Sequence, residues 1–207
     1  MRYSRIPDET IRRLPIYLRA LLITSERGER SVSSNDLADF IGVNPWQIRK
    51  DFSYFGDFGV RGKGYDTQKL VKEIKRILKI DVIQRAALVG VGNLGTAILT
   101  FPGFEVYGFK IVAAYEINPK KIGKRRNKIT IEDVSKLWML KRRKVKLAIL
   151  AVPANSAQKT TDKLVKAGIK GILNFSSCYL YVPNKIKVIT TDIAMELVRL
   201  PYYIPDY

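Results

Sequence analysis

Gly90, Gly92 and Gly95 stand in the run GVGNLG, and 21 residues beyond the last of them comes Glu116. Glycines at this spacing suit a tight strand-to-helix turn whose backbone lets a pyrophosphate approach closely. The N-terminus of the following helix adds free N–H groups and a partial positive charge facing that anion. An acid closing the next strand can accept the hydroxyls of an adenosine ribose and repel a 2′-phosphate, so the pattern selects NAD(H) over NADP(H). A glycine turn that serves packing alone is the plainer alternative. The basic run KKIGKRRNK, Lys120 to Lys128, reads as a solvated loop or as a second phosphate contact.

A second group of residues sits in VNPWQIRKDFSYFG, Val43 to Gly56. Asn44 is a good N-cap and Pro45 suits the first helical position. Ile48, Phe52 and Phe55 then form an apolar stripe, leaving Trp46, Arg49, Lys50 and Ser53 on the other face with Gln47 and Tyr54 at its edge. Upstream, SSNDLADFIG predicts a helix capped by Ser33 or Ser34, buried through Leu37, Phe40 and Ile41 and ended by Gly42. Two short helices around a glycine turn fit a helix-turn-helix that offers its second helix to the major groove. An ordinary helical hairpin with a solvated basic face fits as well. FGDFGVRGKGYD, with Arg61 and Lys63 among glycines, predicts a β-hairpin wing whose basic tip can enter a minor groove, or a flexible loop.

Composition narrows the chemistry. The 207 residues include no histidine, which removes the commonest general acid/base and metal ligand. With Cys178 as the lone cysteine, neither a usual zinc site nor an internal disulfide can form, which suits a reducing cytoplasm. A formal charge of +18 favours a polyanionic partner. Residues 1–80 hold 16 Lys and Arg against 10 Asp and Glu and the rest 21 against 9, so the excess is not confined to the helix-turn-helix. No apolar run approaches the ~20 residues of a membrane span, and the start lacks a secretory h-region. The expectation is a soluble, untargeted cytoplasmic chain with no metal and no membrane partner.

The elements that must hold these residues follow from periodicity. Residues 9–25 predict a helix through Ile11, Leu14, Leu18, Leu21 and Leu22, with Pro15 in an early turn or at its true start. Residues 66–79 predict an amphipathic helix through Leu70, Ile74, Ile77 and Leu78 that closes the first unit. Thereafter RAALVG, KIVAAYE, KLAILAVP, KGILNF and KVITT read as strands. NLGTAILTF, TIEDVSKLWMLKR and NSAQKTTDKLVKAG read as helices, the last capped by Asn155 and stopped by Gly168. Alternation of this kind implies an α/β fold with a parallel sheet covered on both faces. A final helix begins at Asp192. The expected domains are 1–80, a winged helix-turn-helix; 81–190, a Rossmann domain; and 191–207, a C-terminal helix and tail. Little chain remains for a substrate domain, so a bound dinucleotide would act as a signal. A small NAD-dependent oxidoreductase using a lysine is one rival; a constitutive DNA-binding protein holding another nucleotide or coenzyme A is the other.

Taken in order, YLRALL, SSNDLADFIGV, QIRKDFSYFGDFGVRGKGYD, LVGVGNLGTAI, FPGF, AAYEINPKKIG, AILAVPANSAQ and AGIKGILNF resemble Rex, the family of bacterial redox-sensing transcriptional repressors. The resemblance implies a repressor and not an enzyme: a homodimer on palindromic operator DNA that NADH releases and NAD+ leaves bound, with its last helix swapped into the partner. Carried over, Gln47, Arg49, Lys50, Ser53, Arg61 and Lys63 face DNA. Gly90, Val91, Gly92, Asn93, Leu94, Gly95, Glu116, Val152, Pro153 and Asn174 hold NADH or NAD+. Arg19, Phe101 and Asp192 belong to the switch. Phe101 stands where the family often has Tyr, Glu116 where Asp is usual, and Ser176 and Ser177 where an Ala-Pro pair is usual.

Overall fold

A computed structural model describes residues 6–60 and 62–205, apart from the side chain of Val60. The chain divides into two units, Met1–Val82 and Ile83–Tyr207.

The first unit is built on α1 (Asp8–Glu26), with α2 (Ser34–Ile41), α3 (Pro45–Ser53) and α4 (Thr67–Ile77) packed around it. Pro15 lies inside α1 and exposed, so the helix neither starts there nor buries it. Ser33 caps α2 through a reciprocal box with Asp36, and Gly42 closes it at φ 68°, a left-handed value that suits a residue without Cβ. Leu37 and Ala38 are the buried residues of α2. Phe40, expected inside, stays exposed with the Arg27 guanidinium over its ring, and Ile41 is half-buried. Eight residues give barely two turns, so the buried stripe is one residue wide. Strands β1 (Ser31–Val32), β2 (Gly59–Val60) and β3 (Gly64–Asp66) form an antiparallel sheet in the order β1-β3-β2. Phe52 meets Tyr17, Phe58 and Tyr65 edge to face at centroid distances of 5.3, 5.9 and 5.3 Å, which ties recognition helix, α1 and hairpin into one core.

The second unit is a seven-stranded sheet in the order β10-β9-β8-β4-β5-β7-β6. Its strands are β4 (Gln84–Val89), β5 (Phe109–Glu116), β6 (Arg125–Arg126), β7 (Ile129–Asp133), β8 (Leu147–Leu150), β9 (Gly171–Asn174) and β10 (Lys187–Thr190). All neighbours are parallel except β6 and β7. Alternation divides the core. Ala87, Val89 and Tyr115 pack on one face with Leu137, Leu140 and Leu164, and Leu88 and Ala114 on the other with Ile98 and Leu99. Helices α5 (Asn93–Thr100), α6 (Gly103–Val106), α7 (Met139–Arg142) and α8 (Ala154–Lys166) complete the layers, and α9 (Ile193–Val198) follows β10.

Three expectations here are corrected. Residues 130–142 are not one helix: Thr130 to Asp133 belong to β7, a 3-10 turn spans Val134–Trp138, and only Met139–Arg142 is α-helical. β-Branched Thr130 and Ile131 gain more by completing the sheet beside β5, where Ile131 is fully buried, than a helix would return. The basic run is not all loop either. Arg125 and Arg126 pair with Thr130 and Ile129 across a two-residue turn in which Asn127 and Lys128 both have positive φ. In α8, Asn155 is not the cap: the helix begins at Ala154 behind Pro153, with no side-chain cap.

Candidate functional sites

The six residues expected to face DNA fall on α3 and in the wing, and the fold separates them. Arg49, Ser53 and Lys63 line one groove of about 620 Å³ between the recognition helix and the wing. Arg49 donates from Nη1 to Ser34 Oγ at 2.7 Å, which steadies its guanidinium at the groove edge. Lys50 places its ammonium 4.8 Å from the Trp46 ring centroid, and the indole itself is exposed. Ser53 donates its hydroxyl back to the Lys50 carbonyl at 2.7 Å. Gln47 turns inward, its Nε2 donating to Asp51 Oδ1 at 2.8 Å. Arg61 lies outside the described residues.

Asp51 went unremarked in the sequence, yet it organises this unit. Its carboxylate is fully buried and accepts a two-pronged contact from Arg13, with Nε to Oδ2 at 2.6 Å and Nη2 to Oδ1 at 2.9 Å. Tyr17 Oη donates at 2.6 Å and Thr10 Oγ1 at 3.0 Å. Thr10, Arg13 and Tyr17 recur at i, i+3 and i+7 on α1, so one acid locks the recognition helix to one helical stripe. Burial pushes the carboxyl up, but the Arg13 fork and the Tyr17, Gln47 and Thr10 bonds outweigh it and hold Asp51 below the usual carboxylate range. The same contact, with burial, pushes the Tyr17 phenol up. The one signal available was an acid at i+4 from Gln47 on an otherwise apolar side.

The glycine turn closes β4, where neighbours β5 and β8 lead away to opposite sides of the sheet, the usual switch point of a doubly wound fold. The three glycines serve different ends. Gly90 has φ 91°, and a Cβ there would run into the Ala151 carbonyl and Val152 Cγ1. A Cβ on Gly95 would strike the Gly90 carbonyl. Those two are required by packing. Gly92 is not, because nothing lies within 4 Å of where its Cβ would be and its φ of −71° is open to any residue. The empty space in front of Gly92, at the uncapped start of α5, is a cradle that a side chain would fill.

Glu116 borders this cradle and is 9% exposed. Its Oε2 accepts Val91 N–H at 2.8 Å, and its Oε1 accepts Ile117 and Asn118 N–H at 2.7 and 3.1 Å. Burial raises this carboxyl, yet the three N–H groups and the Lys121 charge prevail and keep it ionised below its ordinary range. Lys121, from the basic run, donates to the Val91 carbonyl at 2.7 Å and brings one cation of that run to the turn. Asn93 and Leu94 are exposed on the first turn of α5, Val91 is buried beneath it, and Val152 and exposed Pro153 follow β8 beside Gly90. Asn174, expected at the cofactor, has protein partners of its own. Its fully buried amide donates to the Cys178 carbonyl and Thr190 Oγ1 and accepts Ser176 N–H, so it braces the loop beyond β9. Ser176 Oγ donates to the Val152 carbonyl at 2.7 Å, which joins that loop to the residue beside Gly90.

Of the switch residues, Arg19 is exposed on α1, and Phe101 is exposed at the end of α5, edge to face with Phe104. Asp192 caps α9, accepting Ala194 and Met195 N–H. Among the described residues no group of His, Cys, Asp and Glu could hold a metal ion, and no helix is long and apolar enough to cross a membrane.

A winged helix-turn-helix joined to a sheet with a nucleotide-type turn defines the class: a DNA-binding regulator coupled to a ligand domain. Comparison with known proteins narrows it. Residues 81–178 match the family profile described as "CoA binding domain", and residues 5–53 that described as "Putative DNA-binding protein N-terminus". The chain is 44% identical over 199 residues to the redox-sensing transcriptional repressor Rex of Chloroflexus aurantiacus, covering 96% of this chain and 94% of that one. It is 41% identical over 201 residues to Rex of Lactobacillus gasseri, covering 97% and 94%. Among solved structures it resembles RSP, a Rex-family repressor, in complex with NAD+ and operator DNA. That match has a TM-score of 0.91 and 34% identity, covering 97% of this chain and 93% of RSP. Against RSP in complex with NADH the TM-score is 0.88, with 32% identity and coverage of 97% and 94%. The chain belongs to the Rex family of redox-sensing transcriptional repressors.

Proposed function

We propose that this chain holds operator DNA as a cytoplasmic homodimer and releases it when NADH binds, so that transcription follows the ratio of NADH to NAD+. The observation that carries the reading is coverage. The likeness to RSP with NAD+ and operator DNA spans both units, and each unit has its own fitting site.

Arg49, Ser53 and Lys63 meet DNA along the groove they share, with Lys50 beside them and Arg61 as a further DNA contact; Gln47 contributes through Asp51. The pyrophosphate lies against Gly92 and the first turn of α5, and Glu116 faces the ribose. The bound dinucleotide supplies a nicotinamide ring that is neutral when reduced and cationic when oxidised. Two dimer geometries then differ in how far apart they set the recognition helices, only one matching successive turns of DNA. Helix α9, with every side chain at least partly exposed and Ile193, Met195, Leu197 and Val198 among the most exposed, packs against the partner subunit in this reading. Arg19, Phe101 and Asp192 couple the two sites.

One observation favours a second ligand: the family profile over residues 81–178 carries the name of coenzyme A. The Glu116 carboxylate opposes it, because a ribose phosphate beside that charge is repelled whether it belongs to coenzyme A or NADPH. Titrating NADH, NAD+, NADPH and coenzyme A into a protein–operator complex decides the matter. Release by NADH alone is expected; release by coenzyme A, or by none of the four, would overturn the reading.

A further inference from the structure

A second groove in the Rossmann unit, of about 530 Å³, runs between the helical segment 134–142 and the last turns of α8. It shares no residue with the glycine turn. Its floor includes buried Leu137 and Ala167, and along it stands Trp138, 56% exposed. Lys141 and Arg142 enter from one side, Lys163 and Lys166 from the other, and no carboxylate lines it.

Three exposed arginines elsewhere do pair with a carboxylate three or four residues away: Arg12 with Asp8 and Glu9, Arg76 with Glu73, Arg199 with Glu196. Here the nearby acids are engaged otherwise. Asp162 accepts from Gln158 at 2.8 Å and Glu132 pairs with Arg143 at 2.6 Å. Asp133 at the rim accepts Ser135 N–H and offsets part of the Lys163 charge, leaving Lys141, Arg142 and Lys166 without a paired acid among the described residues. Lys163 and Lys166, at i and i+3, repel one another on the surface of α8. Positions on the last turns of a helix explain part of the cations through the dipole, but explain neither the exposed indole nor their convergence from two segments. Gathered like charges beside an aromatic face are stabilised by an anion that carries a planar ring.

We infer that this groove binds a nucleoside polyphosphate, with the base on Trp138 and the phosphates among Lys141, Arg142, Lys163 and Lys166. The volume lies within the ~300–1,000 Å³ usual for small-ligand sites. Base stacking and charge pairing contribute together, so neither part alone binds as well.

The test reads Trp138 fluorescence in the full chain carrying Trp46→Phe, which leaves a single indole, with NAD+ held at one equivalent so that it fills the glycine turn without saturating the groove. ADP, adenosine and tripolyphosphate are titrated separately. Saturable quenching by ADP is expected, with adenosine and tripolyphosphate weaker by about tenfold or more. Lys141→Glu and Lys163→Glu should each weaken ADP by about tenfold with an unaltered circular dichroism spectrum. Should either fail to fold, the Gln variants at the same positions must show a smaller loss in the same direction. A flat ADP titration into the millimolar range, quenching indifferent to these lysines, or tripolyphosphate equal to ADP overturns the inference. Quenching by duplex DNA but not by ADP overturns it too, and makes the groove a contact to nucleic acid.

Discussion

Gly92 and Gly95 show how differently two residues of a short motif can matter. Gly92→Ala leaves packing untouched, because its Cβ enters open space, yet it fills the cradle. We expect an unchanged thermal midpoint and NADH affinity down about tenfold or more, roughly 1.4 kcal/mol; calorimetric titration showing undiminished affinity would remove Gly92 from the site. Gly95→Ala does the reverse, colliding with the Gly90 carbonyl and costing about 1–3 kcal/mol of stability. Asp51→Ala strands Arg13 and the Tyr17 hydroxyl, and should cost about 3 kcal/mol in chemical denaturation. The acid also predicts a pH dependence. Its folded pKa is depressed, so its contribution is complete above the ordinary carboxylate range and is lost as pH falls through the folded value. Asp51→Asn should therefore flatten the acid limb of the stability curve; an unaltered limb would assign that limb to other carboxylates. The glycine spacing was legible in sequence because the turn is local. Asp51 was not, because Arg13 and Tyr17 lie 38 and 34 residues away.

At the scale of elements, periodicity served best where an element buries one clean stripe. The α3 reading, with Asn44 as cap and Ile48 and Phe52 inside, matches the structure, while Phe55 lies beyond the helix and is half-buried. Segment 130–142 misled because its first residues join a sheet edge that no local pattern announces, although the alternation Ile129-Thr130-Ile131 was there to be read. Helix α9 carries its own prediction. A six-residue helix with no buried side chain cannot hold its place by packing within its unit. Met195→Glu with Leu197→Glu should convert a dimer to monomers by sedimentation and weaken operator binding, while each unit keeps its secondary structure. A dimer that survives both charges would place the interface elsewhere.

For the whole molecule, the governing quantity is the coupling between ligand and DNA. If NADH weakens operator binding tenfold, about 1.4 kcal/mol, operator DNA must weaken NADH binding tenfold as well. Measuring NADH affinity with and without saturating operator checks this; equal affinities would mean that release in the coupled assay has another cause. The +18 charge belongs to this scale too, yet the larger share lies after residue 80. Net charge alone therefore says little about which surface meets the operator.

Most of the helices and strands, the two kinds of unit and the glycine turn were written in the chain itself, because helix caps, strand alternation and turns depend on residues a few positions apart. What only the tertiary structure decided was which side chains remain free. It gathered Arg13 and Tyr17 onto Asp51, folded the Glu116 carboxylate onto Val91, tied Ser176 to the Val152 carbonyl, and left the space at Gly92 open. Hydrogen bonds and clashes between groups far apart in sequence exist only once strands and helices have been set side by side, and so they could be seen nowhere else.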